Sequence, residues 1–263
     1  MKTNMLDNKF NPRYLMISIF ICWIIYSFLY LTLVKNESGS MAGCFALLGQ
    51  VSLDIAASYL TFKLYRTAKD PRTKIIYFLF FISFISAAFA DGIYNFGMNI
   101  LDIKYFSNIN SFFEVPFLFF LLFQVIAWGK IFFLQNNDIK YKSKHLYIPY
   151  IMVSILIFFM FIFGIPWNIK YFSLLGVYQL IDTILEVVGF TLVTTCLARS
   201  KDITISLASV GYLIIISSDL LIRYNVVSGI IPFLNPFETT WVLGLLMMTT
   251  SFFFVERRVP SSY

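Results

Sequence analysis

Seven carboxylic acids stand within or at the edges of long apolar stretches in this chain: Asp54, Asp91, Asp182, Glu186 and Asp219 well inside them, and Glu114 and Glu238 at their rims. A charged side chain at a bilayer centre costs roughly 2.5–3.5 kcal/mol on insertion scales, so such acids face other protein, find partners or take up a proton. Three chemistries are open to them. They can act as glue between helices, bonded to Gln50, Gln179, Ser86, Tyr94, Ser218 or Tyr224. They can line a pocket for a cationic, polyhydroxylated or amphipathic ligand. Or Asp91 and Asp219 can work as a paired acid and base, which requires different environments for the two carboxyls. Spacing adds two helix-face pairs: Asp182 with Glu186, which repel unless one is protonated, and Asp219 with Arg223, which can form an internal ion pair.

Other chemistries find no residues. The one histidine, His145, lies in a basic loop, so no His-based metal site or Ser-His-Asp triad stands within an apolar stretch. Cys22, Cys44 and Cys196 are scattered, without disulfide or metal-ligand spacing, and read as small core hydrophobes. Gly-rich phosphate loops, HExxH and CxxC are lacking, and no lysine stands mid-stretch in the last helices to carry a retinal Schiff base. Neither a cofactor nor a metal is expected.

The elements that must hold these acids follow from composition. Hydrophobic residues make up 59% and charged residues 13% of 263, with mean hydropathy +0.78, where soluble domains carry roughly 45–50% and about 25%. A bilayer core of about 30 Å needs roughly 20 mostly apolar residues per helix. Eight windows qualify: Tyr14–Val34, Met41–Leu64, Ile75–Leu101, Phe112–Leu134, Leu146–Trp167, Tyr171–Leu197, Ile203–Val227 and Phe237–Val255. In lipid each must be a helix, because an isolated strand leaves its backbone groups unsatisfied. The first apolar run is too long for a cleaved signal segment. The expectation is an all-α, polytopic membrane bundle of about eight helices, one membrane domain over 1–263 with no soluble domain.

The net charge of +6 does not point to nucleic acid, since the cations cluster between apolar runs. Lys63, Arg66, Lys69, Arg72 and Lys74 flank the second loop, Lys130, Lys140, Lys142 and Lys144 the fourth, Arg199 and Lys201 the sixth, and Arg257 and Arg258 the last helix end; odd loops carry only Lys35, Lys104 and Lys170. The positive-inside rule then predicts a cell (inner) membrane protein with both termini cytoplasmic. The abundant Phe and Tyr read as lipid-facing and interhelical packing, and Trp167 and Trp241 as interfacial anchors.

Asp54 and Asp91 are 37 positions apart, as are Asp182 and Asp219, with an offset of 128 between the pairs. That offset carries spans one to four onto five to eight, and brings Glu114 near Glu238. It predicts two parallel four-helix repeats, 1–140 and 141–263. At about 1.5 Å per residue, Asp91 and Asp219 lie roughly 24 Å from the basic ends of their helices, so the acids are biased toward the outer side.

The segments Asp182–Leu185, Ser218-Asp219-Leu220-Leu221-Ile222-Arg223-Tyr224 and Glu238-Thr239-Thr240-Trp241-Val242-Leu243-Gly244 resemble the N-terminal multi-helix membrane input modules of bacterial diguanylate cyclases and histidine kinases. Asp91–Tyr94 after the Arg66–Lys74 loop looks like the same pattern. The resemblance implies a non-enzymatic sensory or ligand-binding module whose site includes Asp54, Asp91, Tyr94, Glu114, Asp182, Glu186, Asp219, Arg223, Tyr224, Glu238 and Trp241. Because no output domain follows Arg257-Arg258 within the chain, it also implies a cytoplasmic signalling partner beside the bilayer and a small-molecule ligand. Ser218-Asp219-Leu220-Leu221 is similar also to the second aspartate motif of lysoplasmalogenases, eight-span hydrolases of vinyl-ether lysolipids, with Asp91 and Asp219 as the catalytic pair. Ala90-Asp91 stands where that family prefers Gly-Asp, and its fourth-span histidine is missing. Parallel repeats suggest a third class, a small-molecule transporter.

Overall fold

The computed structural model describes residues 12–35, 39–96, 110–137, 174–227 and 237–258. They form seven helices: α1 (Pro12–Lys35), α2 (Gly39–Thr67), α3 (Pro71–Asn95), α4 (Asn110–Asn137), α5 (Leu174–Arg199), α6 (Ile203–Val227) and α7 (Phe237–Arg258). All seven are long and apolar enough to cross a membrane, and no strand occurs among the described residues. Seven of the eight windows expected from hydropathy are therefore helices. The fifth, Leu146–Trp167, lies outside the described residues.

The ends of the helices are set by capping chemistry. Asp70 precedes Pro71 at the start of α3 and accepts from the Thr73 N–H (2.9 Å) and hydroxyl (2.7 Å). These two donors hold the Asp70 carboxyl below its ordinary range. Asp202 does the same for α6, accepting from the Thr204 N–H and hydroxyl, both at 2.8 Å. Within the helices, hydroxyls find acceptors one turn back: Thr61 donates to the Ala57 carbonyl at 2.7 Å and Thr194 to Phe190 at 2.7 Å. Such bonds let Ser and Thr sit in apolar surroundings without an orphaned donor.

Six helices close a ring in the order α2, α3, α4, α5, α6, α7, with α7 packing back on α2. Helix α1 lies outside, against α2 and α7, and only 11% of its apolar window is buried. It is fastened by Ile19 against Leu207, Leu243 and Met247, and by the Trp23 indole donating to the Thr239 carbonyl at 2.6 Å. Helices α6 and α7 approach closely where they cross. A Cβ on Gly211 would lie 2.7 Å from the Gly244 carbonyl oxygen, and one on Gly244 would lie 2.6 Å from that of Gly211. Small residues let two backbones approach this closely, which is how apolar helices associate in lipid.

Two neighbouring pairs run parallel. Along α4 and α5, Val125 meets Gly189, Gly129 faces Leu192, the Cys196 thiol points to the Trp128 carbonyl (3.9 Å) and Arg199 lies over the Phe132 ring (5.1 Å). On both helices the contacts advance toward the C-terminus, so Asn137 and Leu174 lie at opposite ends of the bundle. The other parallel pair, α2 and α7, is closed at its C-terminal ends by Lys63 and Glu256 at 2.6 Å. The Lys- and Arg-bearing ends of α2 to α7 thus gather at one face, the basic end.

Two expectations about facing are corrected. Trp241 is 4% exposed and packs inward on Phe117 and Phe120, with ring centroids at 5.5 and 6.2 Å; it is a core residue and not an interfacial anchor. Cys196 is buried, but Cys22 and Cys44 are exposed on the outer flank. A thiol is small and apolar enough to face lipid, so its hydrophobicity alone does not send it inside.

Candidate functional site

Helix periodicity aims the acids into the ring. On α2 the buried residues Gln50, Asp54, Ala57, Thr61 and Leu64 recur every three or four positions; on α5 Asp182, Glu186, Gly189, Val193 and Cys196 do the same. Each set is one inward stripe. Asp54, Asp182 and Glu186 are each at most 1% exposed, and Asp91 and Asp219 are partly buried.

The structure pairs two acids across a helix seam and leaves a third within electrostatic range. The carboxyls of Asp54 (α2) and Asp91 (α3) lie within hydrogen-bonding reach of each other, and Asp91 is close enough to Asp219 (α6) for their charges to interact. No N–H or O–H among the described residues donates to either oxygen of Asp54. An ionised carboxylate only accepts hydrogen bonds. Two of them facing each other therefore repel, whereas one shared proton, or a cationic donor placed among the three, converts the repulsion into charge-assisted hydrogen bonds. Among the described residues no three His, Cys, Asp or Glu side chains converge as a metal site.

Glu186 lies near enough to Tyr212 of α6 for the two to interact electrostatically. Tyr212 reaches α5 at Gly189, where a Cβ would sit 3.0 Å from its hydroxyl. Two partners expected for the acids are occupied elsewhere: the Ser86 hydroxyl donates to Ile82 (3.0 Å), and Ser218 donates to Ile214 (2.7 Å) and meets the Thr240 hydroxyl (2.6 Å). A serine one turn above a helix carbonyl satisfies itself locally before it reaches across. The side chains of Tyr94, Glu114, Gln179, Arg223, Tyr224 and Glu238, and with them the Asp219–Arg223 ion pair, lie outside the described residues.

No family model, curated protein or solved structure matches this chain. What the site can do is thus argued from its side chains alone, since a helical bundle hosts many unrelated functions.

Below the acids, toward the basic end, an aromatic layer fills the ring. Phe80 packs on Trp128 (5.7 Å) and Phe252 (5.2 Å), Phe84 on Phe252 (5.8 Å), and Tyr212 on Trp128 (6.1 Å) and Phe120 (6.5 Å). Against this layer a space of about 240 Å³ opens at the basic end, bounded also by Thr73, Tyr77, Gln135, Thr204 and Val255. Sequence reasoning passed over both features. It also passed over Gln124, which is fully buried on α4 with neither amide atom bonded among the described residues, and Trp128, whose buried indole N–H is likewise unbonded. Gln124 carried a legible signal, an amide in mid-span; the others did not, because rings and hydroxyls are common in any span.

Proposed function

We propose that this chain is a multi-pass membrane binding module that takes a cationic or polyhydroxylated ligand among Asp54, Asp91 and Asp219 and transmits occupancy through helix rearrangement to a signalling partner. The observation that carries the proposal is the pairing of the Asp54 (α2) and Asp91 (α3) carboxyls, with Asp219 of α6 in electrostatic range of Asp91 and no donor for Asp54 among the described residues. An ammonium group donates to Asp54, which has no donor among the described residues, and carries the charge opposite to the acids. Because the acids sit on different helices, binding draws α2, α3 and α6 together, which is the differential contact that a two-state switch requires. Trp241 and Gln124 supply further polar atoms on the inner wall.

In this reading the chain crosses the cell membrane eight times with both termini cytoplasmic. The parallel course of α4 and α5 supports an odd number of crossings between them, in keeping with the window Leu146–Trp167. The offset of 128 carries α2, α3 and α4 onto α5, α6 and α7, and one parallel pair onto the other, which supports two related halves.

The test is a thermal-unfolding screen of the purified full chain in detergent with alkylamines, polyamines and sugars. A ligand that stabilises the chain, with the effect lost in Asp91→Asn and Asp219→Asn, is the expected result. If no ligand stabilises it, or both variants respond like the parent, the proposal fails.

The electrostatic interaction between Asp91 and Asp219 favours a second reading, a lysoplasmalogenase-like hydrolase with these two as acid and base. Incubation with a lysoplasmalogen would release free aldehyde, in a manner dependent on both residues.

A further inference from the structure

On the flank of the bundle, at the basic end, a cleft of about 210 Å³ runs along the seam of α3 and α4, lined by Arg72, Ile75, Ile76, Lys130, Phe133 and Leu134. Its composition is divided. Ile75 and Phe133, 49% and 65% exposed, offer an apolar floor to the surroundings, and the two cations flank it. Ile76 and Leu134 also line the inner space at this end, so the cleft backs directly onto it.

Four cations at this end are already engaged. Lys63 pairs with Glu256, Lys74 lies over the Tyr65 ring, Arg199 over Phe132 and Arg257 over Phe253. Lys130 has no such ring or acid partner among the described residues, and Arg72 interacts electrostatically with the exposed Asp70. The Asp70 carboxyl is bonded by the Thr73 N–H and hydroxyl as the cap of α3, so it is held there and not drawn into the cleft. Two cations beside an apolar groove, on a helix flank that faces lipid at its polar edge, match one kind of molecule: an anion with a chain attached.

We infer that this cleft holds one anionic phospholipid of the leaflet at the basic end, its phosphate between Arg72 and Lys130 and its acyl chain along Ile75, Ile76, Phe133 and Leu134. Arginine grips the phosphate through its planar fork and lysine as a point charge. The lipid seals the α3–α4 seam, so its presence steadies the wall of the inner space. This site is separate from the acid cluster and does not depend on what that cluster binds.

The experiment uses the full chain, purified in a neutral detergent, with native mass spectrometry and thermal unfolding as readouts. Dioleoyl-phosphatidylglycerol, dioleoyl-phosphatidylcholine and inorganic phosphate are added in separate arms. One phosphatidylglycerol retained per chain, with a raised unfolding midpoint and no such effect from the other two, is the expected result. The double variant Arg72→Gln/Lys130→Gln should weaken this binding about tenfold or more. Lys69→Gln/Lys201→Gln, which removes the same charge from the same end but away from the cleft, should bind like the parent. All four side chains are exposed, so folding is not at stake. Equal stabilisation by phosphatidylcholine, equal stabilisation by inorganic phosphate, or equal losses in the two double variants would each overturn the inference.

Discussion

Asp54 on α2 and Asp91 on α3 set their carboxyl groups within hydrogen-bonding reach across a helix seam, and nothing described around Asp54 donates to it. A buried polar group left unsatisfied costs about 1–3 kcal/mol, more when charged. Asp54→Asn places two amide hydrogens where a donor is lacking. Its unfolding midpoint in detergent should rise, by the equivalent of about 1–3 kcal/mol. A fall of that size would show that the carboxylate at 54 is already satisfied.

The crossing of α6 and α7 leaves no room for a methyl group. Gly211→Ala and Gly244→Ala both drive a Cβ into a backbone carbonyl, and overpacking of this kind typically costs about 1–3 kcal/mol. Gly92→Ala on α3 meets nothing within 4 Å, and should be neutral or gain up to about 1 kcal/mol from helix propensity. Comparing the three by titration from native to denaturing detergent checks the geometry directly. Three equal responses would argue against a close α6–α7 approach.

The aromatic layer should carry much of the stability. Trp128 is 1% exposed and touches Phe80 and Tyr212, so Trp128→Ala opens a cavity worth about 3–5 kcal/mol. Phe28 on α1 is 70% exposed, and Phe28→Ala should change the unfolding midpoint little. Similar effects from the two would mean that the ring interior is not packed as described.

One pH dependence follows from the cap of α3. Asp70 has its folded-state titration lowered by Thr73, so its contribution is fully present above the unfolded value of about 3.9 and is lost as pH falls through the lower folded value. Asp70→Ala should therefore be less stable than the parent at neutral pH, with the gap closing below about pH 4. Thermal unfolding of both proteins at pH 7 and at acid pH reads this out. A gap that persists unchanged in acid would assign the effect to something other than the carboxylate.

The helices themselves were legible in the sequence. Window and helix coincide at Ile203–Val227, and the other six described helices differ from their windows by a few residues at the ends. Length, hydropathy and the basic clusters are local properties, and in a bilayer they leave the backbone one economical choice. The burial of Asp54, Asp182 and Glu186 was legible for the same reason, since lipid rejects a carboxyl wherever the rest of the helix goes.

Partnerships between helices were not legible. A soluble helix announces its inner face by a polar outer one, but these spans are apolar all round, so the sequence does not say which flank meets protein. That is why Trp241 was expected at an interface and stands in the core, and why Cys22 was expected inside and faces out. It is also why the sequence suggested Asp182 with Glu186 and Asp91 with Asp219 as pairs, while the hydrogen-bond-range pairing of Asp54 with Asp91 was not foreseen. Sequence by itself determined that this is a membrane bundle with acids turned inward, because solvation acts on each span separately. Only the tertiary structure decided which acids meet, through contacts between helices such as Gly211 against Gly244, where packing and not polarity sets the register.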